Sequence, residues 1–428
     1  VPDRPSTHWP TVVQFAFSGL VALALFSMGL AVGLSALIGQ LSGSLLLAQG
    51  SPLLVRAAGL VFCGLLVLPS AGLALLRILG KPLPSWIFPT PPEGTLRRRL
   101  LRRDYLLPGL ALVWVLALLA SFGATRVPQL EALLLPVLVV LVVALPIAGF
   151  VAIGSSGLPA GSLQRRWGIF TASLAGSTLV VILVELLLIA AIVAGGVILI
   201  ASRPEWASAV ERLAQRIANS QITPENLGRI LRPYLTQPWV IYLVLAFYSG
   251  LVPLIEEALK PLPLWFMARW GLSPAEGFTG GLIAGAAFAL FESLGVQGVS
   301  GESGWIGISI ARVGTDLIHI LNTGLMGWAL ASAWKGGKFL RLALTYLAVV
   351  AIHGLWNAFS LALGLLPLVS PGSIWLQALE NARAAQAALG ILFLVSLIIL
   401  LRVNRRLRTR PPQTEAGTLA ETAGTPGS

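Results

Sequence analysis

Residues 12–39 and 187–202 run without a single charged side chain. About 20 residues at 1.5 Å rise cross a hydrocarbon core of roughly 30 Å, so runs of this length and character read as membrane-spanning helices. Composition agrees, with 56% hydrophobic and 11% charged residues against roughly 25% charged in a soluble domain. A soluble chain of 428 residues could not cover its surface with so few charges. The sequence therefore predicts an all-α, polytopic transmembrane helical bundle.

About ten spans are expected, at 12–39, 53–78, 105–122, 129–153, 170–201, 237–259, 278–298, 306–334, 341–366 and 386–401. The sixth apolar stretch continues to Trp270, too long for one straight helix, and a kink or break is expected near Pro253 or Pro261. Proline lacks the backbone donor and clashes with the preceding turn. The net charge of +12 would suit nucleic acid, but the Lys and Arg residues fall in short loops between spans. That pattern orients membrane proteins, and it places both termini of a multi-pass protein in the cytoplasm; the expected setting is a bacterial or archaeal plasma membrane. No nucleic-acid partner is expected. Cys63 is the lone cysteine, which excludes an intrachain disulfide and a cysteine-based zinc site. No cleavable leader is expected, because the first apolar run is too long for one. Trp9, Trp167, Trp239, Trp305, Trp334 and Trp375 fall near span ends, as interfacial anchors should.

Four regions follow: a five-span region over 1–201, an extracytoplasmic loop over 202–236, a membrane domain over 237–401, and a basic then disordered tail over 402–428. In the loop, WASAVERLAQRIA spaces its apolar residues helically and predicts an amphipathic helix. Between spans two and three, RRRLLRRD predicts contact with anionic lipid.

The charges inside the spans carry the functional signal. Residues 1–200 hold one clear case, Glu185, which is assigned no role. Residues 250–360 hold Glu256, Glu257, Lys260, Glu292, Arg312, Asp316, His319 and His353. Eight such groups facing lipid would cost on the order of 20 kcal/mol, so they must face each other or a wet cavity. His319 and His353 fall at mid-span, and Glu292 lies about 6 Å from the middle of its own. Arg312, Asp316 and His319 share one helix face, as do His353 and Asn357. Arg312 with Asp316 reads as an ion pair supporting His319, and Trp356 as packing.

LIEEALK places EExxK at Glu256, Glu257 and Lys260, FALFE places FxxxE at Phe288 and Glu292, and His319 and HGLWN (His353 to Asn357) follow in order. Over residues 237–366 this resembles the PrsW-type intramembrane proteases, distant relatives of the CPBP/Abi and type II CAAX prenyl proteases. The relatives named second carry FxxxH where this chain has Glu292. The resemblance implies an endopeptidase acting on membrane-anchored proteins, including regulators of the anti-sigma-factor kind.

Peptide hydrolysis needs an activated water, a polarised carbonyl and a protonated leaving amine, and Glu256 or Glu257 suits the general base. Two arrangements are open for the rest. Glu292, His319 and His353 could bind Zn²⁺ and leave a position for water. Alternatively, a glutamate and a histidine activate water without metal, while His353 and Asn357 donate to the oxyanion. Other classes with the same buried charges are a proton- or ion-coupled transporter and a non-catalytic binder of membrane segments. The sequence sets neither the oligomeric state nor the role of the first five spans.

Overall fold

The computed structural model describes residues 9–42, 50–82, 103–220, 223–235, 237–297, 305–365 and 382–408. All regular structure among them is helical: α1 (Trp9–Ser42), α2 (Gly50–Ile78), α3 (Arg103–Ala124), α4 (Pro128–Ser155), α5 (Leu163–Thr171) and α6 (Thr178–Ala201). A loop pair follows, α7 (Pro204–Ala218) and α8 (Pro224–Leu235). The remainder is α9 (Pro238–Ala246), α10 (Val252–Leu259), α11 (Leu262–Ala268), α12 (Pro274–Gln297), α13 (Trp305–Gly336), α14 (Phe339–Leu365) and α15 (Ala382–Arg408). α4, α7, α8, α9 and α12 all begin on proline, where the missing N–H would have no helical acceptor and φ is already set.

Among the described residues, nine helical stretches are long and apolar enough to cross a membrane. The expected span at 306–334 is not one of them, although α13 runs unbroken through it. Arg312, Asp316, His319 and Asn322 dilute its apolarity, and Leu317, Ile318, Ile320 and Leu321 are fully buried. A helix sheathed by protein has no need of an all-apolar surface.

The sixth span, expected to kink or break near Pro253 or Pro261, is disturbed at both. A π-helical turn occupies Phe247–Leu251, one turn ahead of Pro253, and the Val252 N–H reaches back to the Phe247 carbonyl. The next carbonyl, Tyr248, would pair with position 253, which is proline and has no N–H to give. The helix then breaks at Pro261 (φ −80°, ψ 20°) before α11.

The expected single amphipathic helix after residue 202 is two, because Asn219 and Ser220 end α7 and Pro224 opens α8. No residue of α7 is buried. Trp9, Trp239 and Trp334 are exposed, as anchors should be, but Trp305 is buried in the core. It begins the enclosed helix α13 and so meets protein rather than headgroups. Most of the RRRLLRRD loop, Trp375 and the tail beyond residue 408 lie outside the described residues.

Helices α12 and α13 approach backbone to backbone. Gly277, Gly281 and Gly285 line one face of α12 at four-residue spacing. A Cβ on any of them would strike the α13 backbone at Gly327, Thr323 or His319. Small residues at this spacing let two helix backbones touch, which sets the separation between Glu292 on α12 and His319 on α13. Around this pair one apolar cluster runs from Ala22, Cys63, Val139 and Leu174 through Leu282 and Leu317 to Leu400. Of the first five spans, the second, fourth and fifth pack directly on the pair, with Leu294 seated against Gly59.

Candidate active site

Lys260 stands at the centre of the polar group. It ends α10, just before the break at Pro261, and is fully buried. Its ammonium lies 2.7 Å from Glu256 Oε2 and 2.9 Å from Glu257 Oε1, the neighbours that i+4 and i+3 helical spacing provides. The third neighbour comes from another helix, His319 Nδ1 at 2.7 Å. An ammonium can only donate, so His319 Nδ1 accepts and the proton of the ring sits on Nε2. That nitrogen donates to Glu292 Oε2 at 2.6 Å. Phe288, one helical turn before Glu292, closes the other side, with its ring centroid 4.6 Å from Lys260 Nζ and 5.4 Å from the His319 ring.

His353 enters from α14. Its Nδ1 lies 2.8 Å from Glu257 Oε1 and its Nε2 3.8 Å from Glu256 Oε2. The two imidazoles are 5.0 Å apart, edge to face. Gly354 permits this approach, because a Cβ there would strike the Ser249 carbonyl in the π-helical turn. Tyr346 adds a clamp between the same helices, donating to the Leu254 carbonyl at 2.7 Å.

A second ion-pair set supports the first. Arg312 reaches both oxygens of Glu292 at 3.1 Å. Its Nε donates to Ser293 Oγ at 2.8 Å, and Ser293 donates to Asp316 Oδ1 at 2.6 Å. Arg312 to Asp316 directly is 3.8 Å, so the expected pair is bridged by a serine that the sequence reading did not single out. The Trp356 indole, read as packing, also donates to Thr315 Oγ1 at 2.9 Å.

The geometry adds to the sequence reading at Glu292, Asn357 and Glu185. Glu256, Glu257, His319 and His353 each offer a ligand atom, all within 4.8 Å of one another. Glu292 is not in that set: it faces the other nitrogen of His319, where a carboxylate orients a ligating imidazole. Asn357 is also apart. Its Nδ2 donates to the Tyr248 carbonyl at 2.9 Å, the one that Pro253 leaves without a partner. Glu185, assigned nothing from sequence, is half-buried on α6 with Oε1 buried and lacking a hydrogen bond. It interacts electrostatically with Glu256, Lys260 and Glu292. Its inward stripe with Val181 and Leu188 was the available signal.

Two carboxylates and two imidazoles form a donor set that suits a divalent metal such as zinc. Glu257 Oε2 is buried with no hydrogen-bond partner, an arrangement costly to leave unmade and satisfied by a cation. The Lys260 ammonium shares this space.

A sequence model of the PrsW family intramembrane metalloproteases matches residues 181–400, just over half of the chain. The chain belongs to the PrsW family. The matched stretch contains every residue of the cluster and begins four residues before Glu185. No curated protein and no solved structure matches the chain. Membership of the PrsW family makes this a multi-pass membrane protein with a protease fold region, and the buried Glu/His group is the candidate catalytic centre.

Proposed function

We propose that the protein is an intramembrane endopeptidase that cuts membrane-anchored proteins, with regulators of the anti-sigma-factor kind as its substrate class. Its setting is a bacterial or archaeal plasma membrane, with both termini cytoplasmic. The observation that carries the reading is the convergence of three separate helices, with Glu256, Glu257 and His319 meeting on one buried ammonium and His353 meeting the two glutamates. Building such a group inside a membrane is costly unless it works.

Glu256 is the general base in this reading. Its side chain is 10% exposed, whereas that of Glu257 is fully enclosed. Attack of water on the carbonyl carbon forms the new C–O bond as Glu256 takes the water proton. His353 Nε2, 3.8 Å from Glu256 Oε2, lies where it can pass that proton to the departing amine as the C–N bond breaks. Glu257 holds His353 and Lys260 in place, and Glu292 holds His319. A metal ion would be held by Glu256, Glu257, His319 and His353 and would supply Lewis acidity to the carbonyl and to the water.

Terminal-peptide proteomics on cells expressing the wild type or a Glu256→Gln/Glu257→Gln pair, at matched levels, tests this. New termini within or beside single-span proteins should appear only with the wild type. Identical terminal profiles, with both proteins folded, would refute the protease reading.

A further inference from the structure

A groove of about 630 Å³ opens between α1, α5 and α11, away from the Glu/His cluster. Phe17, Pro263, Phe266 and Trp270 form much of its wall, and Phe266 and Trp270 are more than half exposed. Its floor is polar. Gln14 and Gln164 exchange hydrogen bonds, Gln14 donating to the Gln164 carbonyl at 3.1 Å and Gln164 donating to Gln14 Oε1 at 3.0 Å. Arg77 donates to Gln164 Oε1 at 2.9 Å, which fixes its guanidinium at the rim.

The charges at that rim are unequal. Arg165 also lines the groove but is neutralised by Glu276. Arg77 has no carboxylate partner among the described residues, and Lys81, Arg166 and Arg269 lie in the segments flanking the groove. Beside Arg77 is the first turn of α5. Ser162 caps the Arg165 N–H there, while the first N–H groups of any helix lack acceptors within it and favour an anion. The site thus joins an uncompensated guanidinium and helix-end N–H groups to an apolar, aromatic-walled trough of the size that holds a small molecule. A soluble anion would leave the trough exposed. A phosphate with acyl chains satisfies both parts.

We propose that this groove binds one anionic phospholipid, its phosphate at Arg77 and the start of α5 and an acyl chain along Phe17 and Phe266. The lipid bridges the first spans to α11, which begins two residues after Lys260, and so gives the N-terminal region a part in holding that helix.

Native mass spectrometry of the full chain, loaded with phosphatidylglycerol or phosphatidylcholine, tests the proposal. The wild type should retain phosphatidylglycerol over phosphatidylcholine by about fivefold, the factor one arginine contributes toward an anionic lipid. Arg77→Gln should erase the preference, and Val13→Trp, which fills the trough from α1, should lower retention of both lipids. Neither position belongs to the Glu/His cluster. Equal retention of the two lipids by the wild type, or a preference unchanged in Arg77→Gln, would overturn it. So would displacement of the lipid by millimolar inorganic phosphate, which would assign the site to a free anion.

Discussion

Gly285→Ala should disable the site without touching any of its side chains. The added Cβ would lie 2.5 Å from the His319 carbonyl oxygen and 2.9 Å from Ile320 Cα. Both are backbone atoms and cannot rotate aside. Restoring an ordinary contact requires α12 and α13 to part by about 0.7 Å or more, enough to carry a hydrogen bond from its optimum to its limit. The bond at stake is His319 to Glu292, 2.6 Å across that same interface. Overpacking of this kind costs about 1–3 kcal/mol, and a misplacement approaching 1 Å at a catalytic group costs on the order of 100-fold in rate. Gly295, on the same helix, is the control: nothing lies within 4 Å of its Cβ position. Replacing it with alanine should be neutral or stabilising by up to about 1 kcal/mol. Purified variants would be compared by thermal unfolding and by turnover of a membrane-anchored reporter per folded molecule. If Gly285→Ala matches Gly295→Ala in both, the glycine stripe does not set the site's geometry.

Three further outcomes are expected. Arg312→Leu strands Glu292 and Asp316 in the interior and should destabilise the chain by about 3–5 kcal/mol; Arg312→Lys should recover part of this in unfolding measurements, losing the two-pronged grip on Glu292. Asn357→Leu leaves the Tyr248 carbonyl without its donor and should cost about 1–3 kcal/mol. Adding Pro253→Ala supplies a backbone N–H, so the loss should shrink in the double variant; a purely additive result would deny that link. In plasma mass spectrometry of purified protein, His319→Leu and His353→Leu should lower bound zinc while Glu292→Gln retains it. Loss in Glu292→Gln equal to that in His353→Leu would restore the ligand set expected from the sequence.

Several of these features were legible before any fold was drawn. EExxK puts Lys260 within reach of both glutamates by helical spacing alone, and the ion pairs have that spacing. Arg312, Asp316 and His319 share a face for the same reason. The break near Pro253 and Pro261 follows from the chemistry of proline, and both disturbances are there. Trp305 misled because a tryptophan at a helix start resembles an interfacial anchor unless the helix is known to be enclosed.

Membrane residence, the all-helical class and the list of buried charges were determined by the sequence, because apolar run length, proline and i+3/i+4 spacing act within one stretch of chain. The tertiary structure decided which partner each charge meets. Glu257 and His353 are 96 residues apart, and their contact depends on how far each helix is rotated and how closely it approaches its neighbour. The glycines of α12 and Gly354 set those approaches. Helical periodicity tells which side chains share a face, but not where that face points. For this reason the sequence grouped Glu292 with the two histidines, whereas it meets only the outer nitrogen of His319, and it set Asn357 toward an oxyanion, whereas Asn357 donates to the Tyr248 carbonyl.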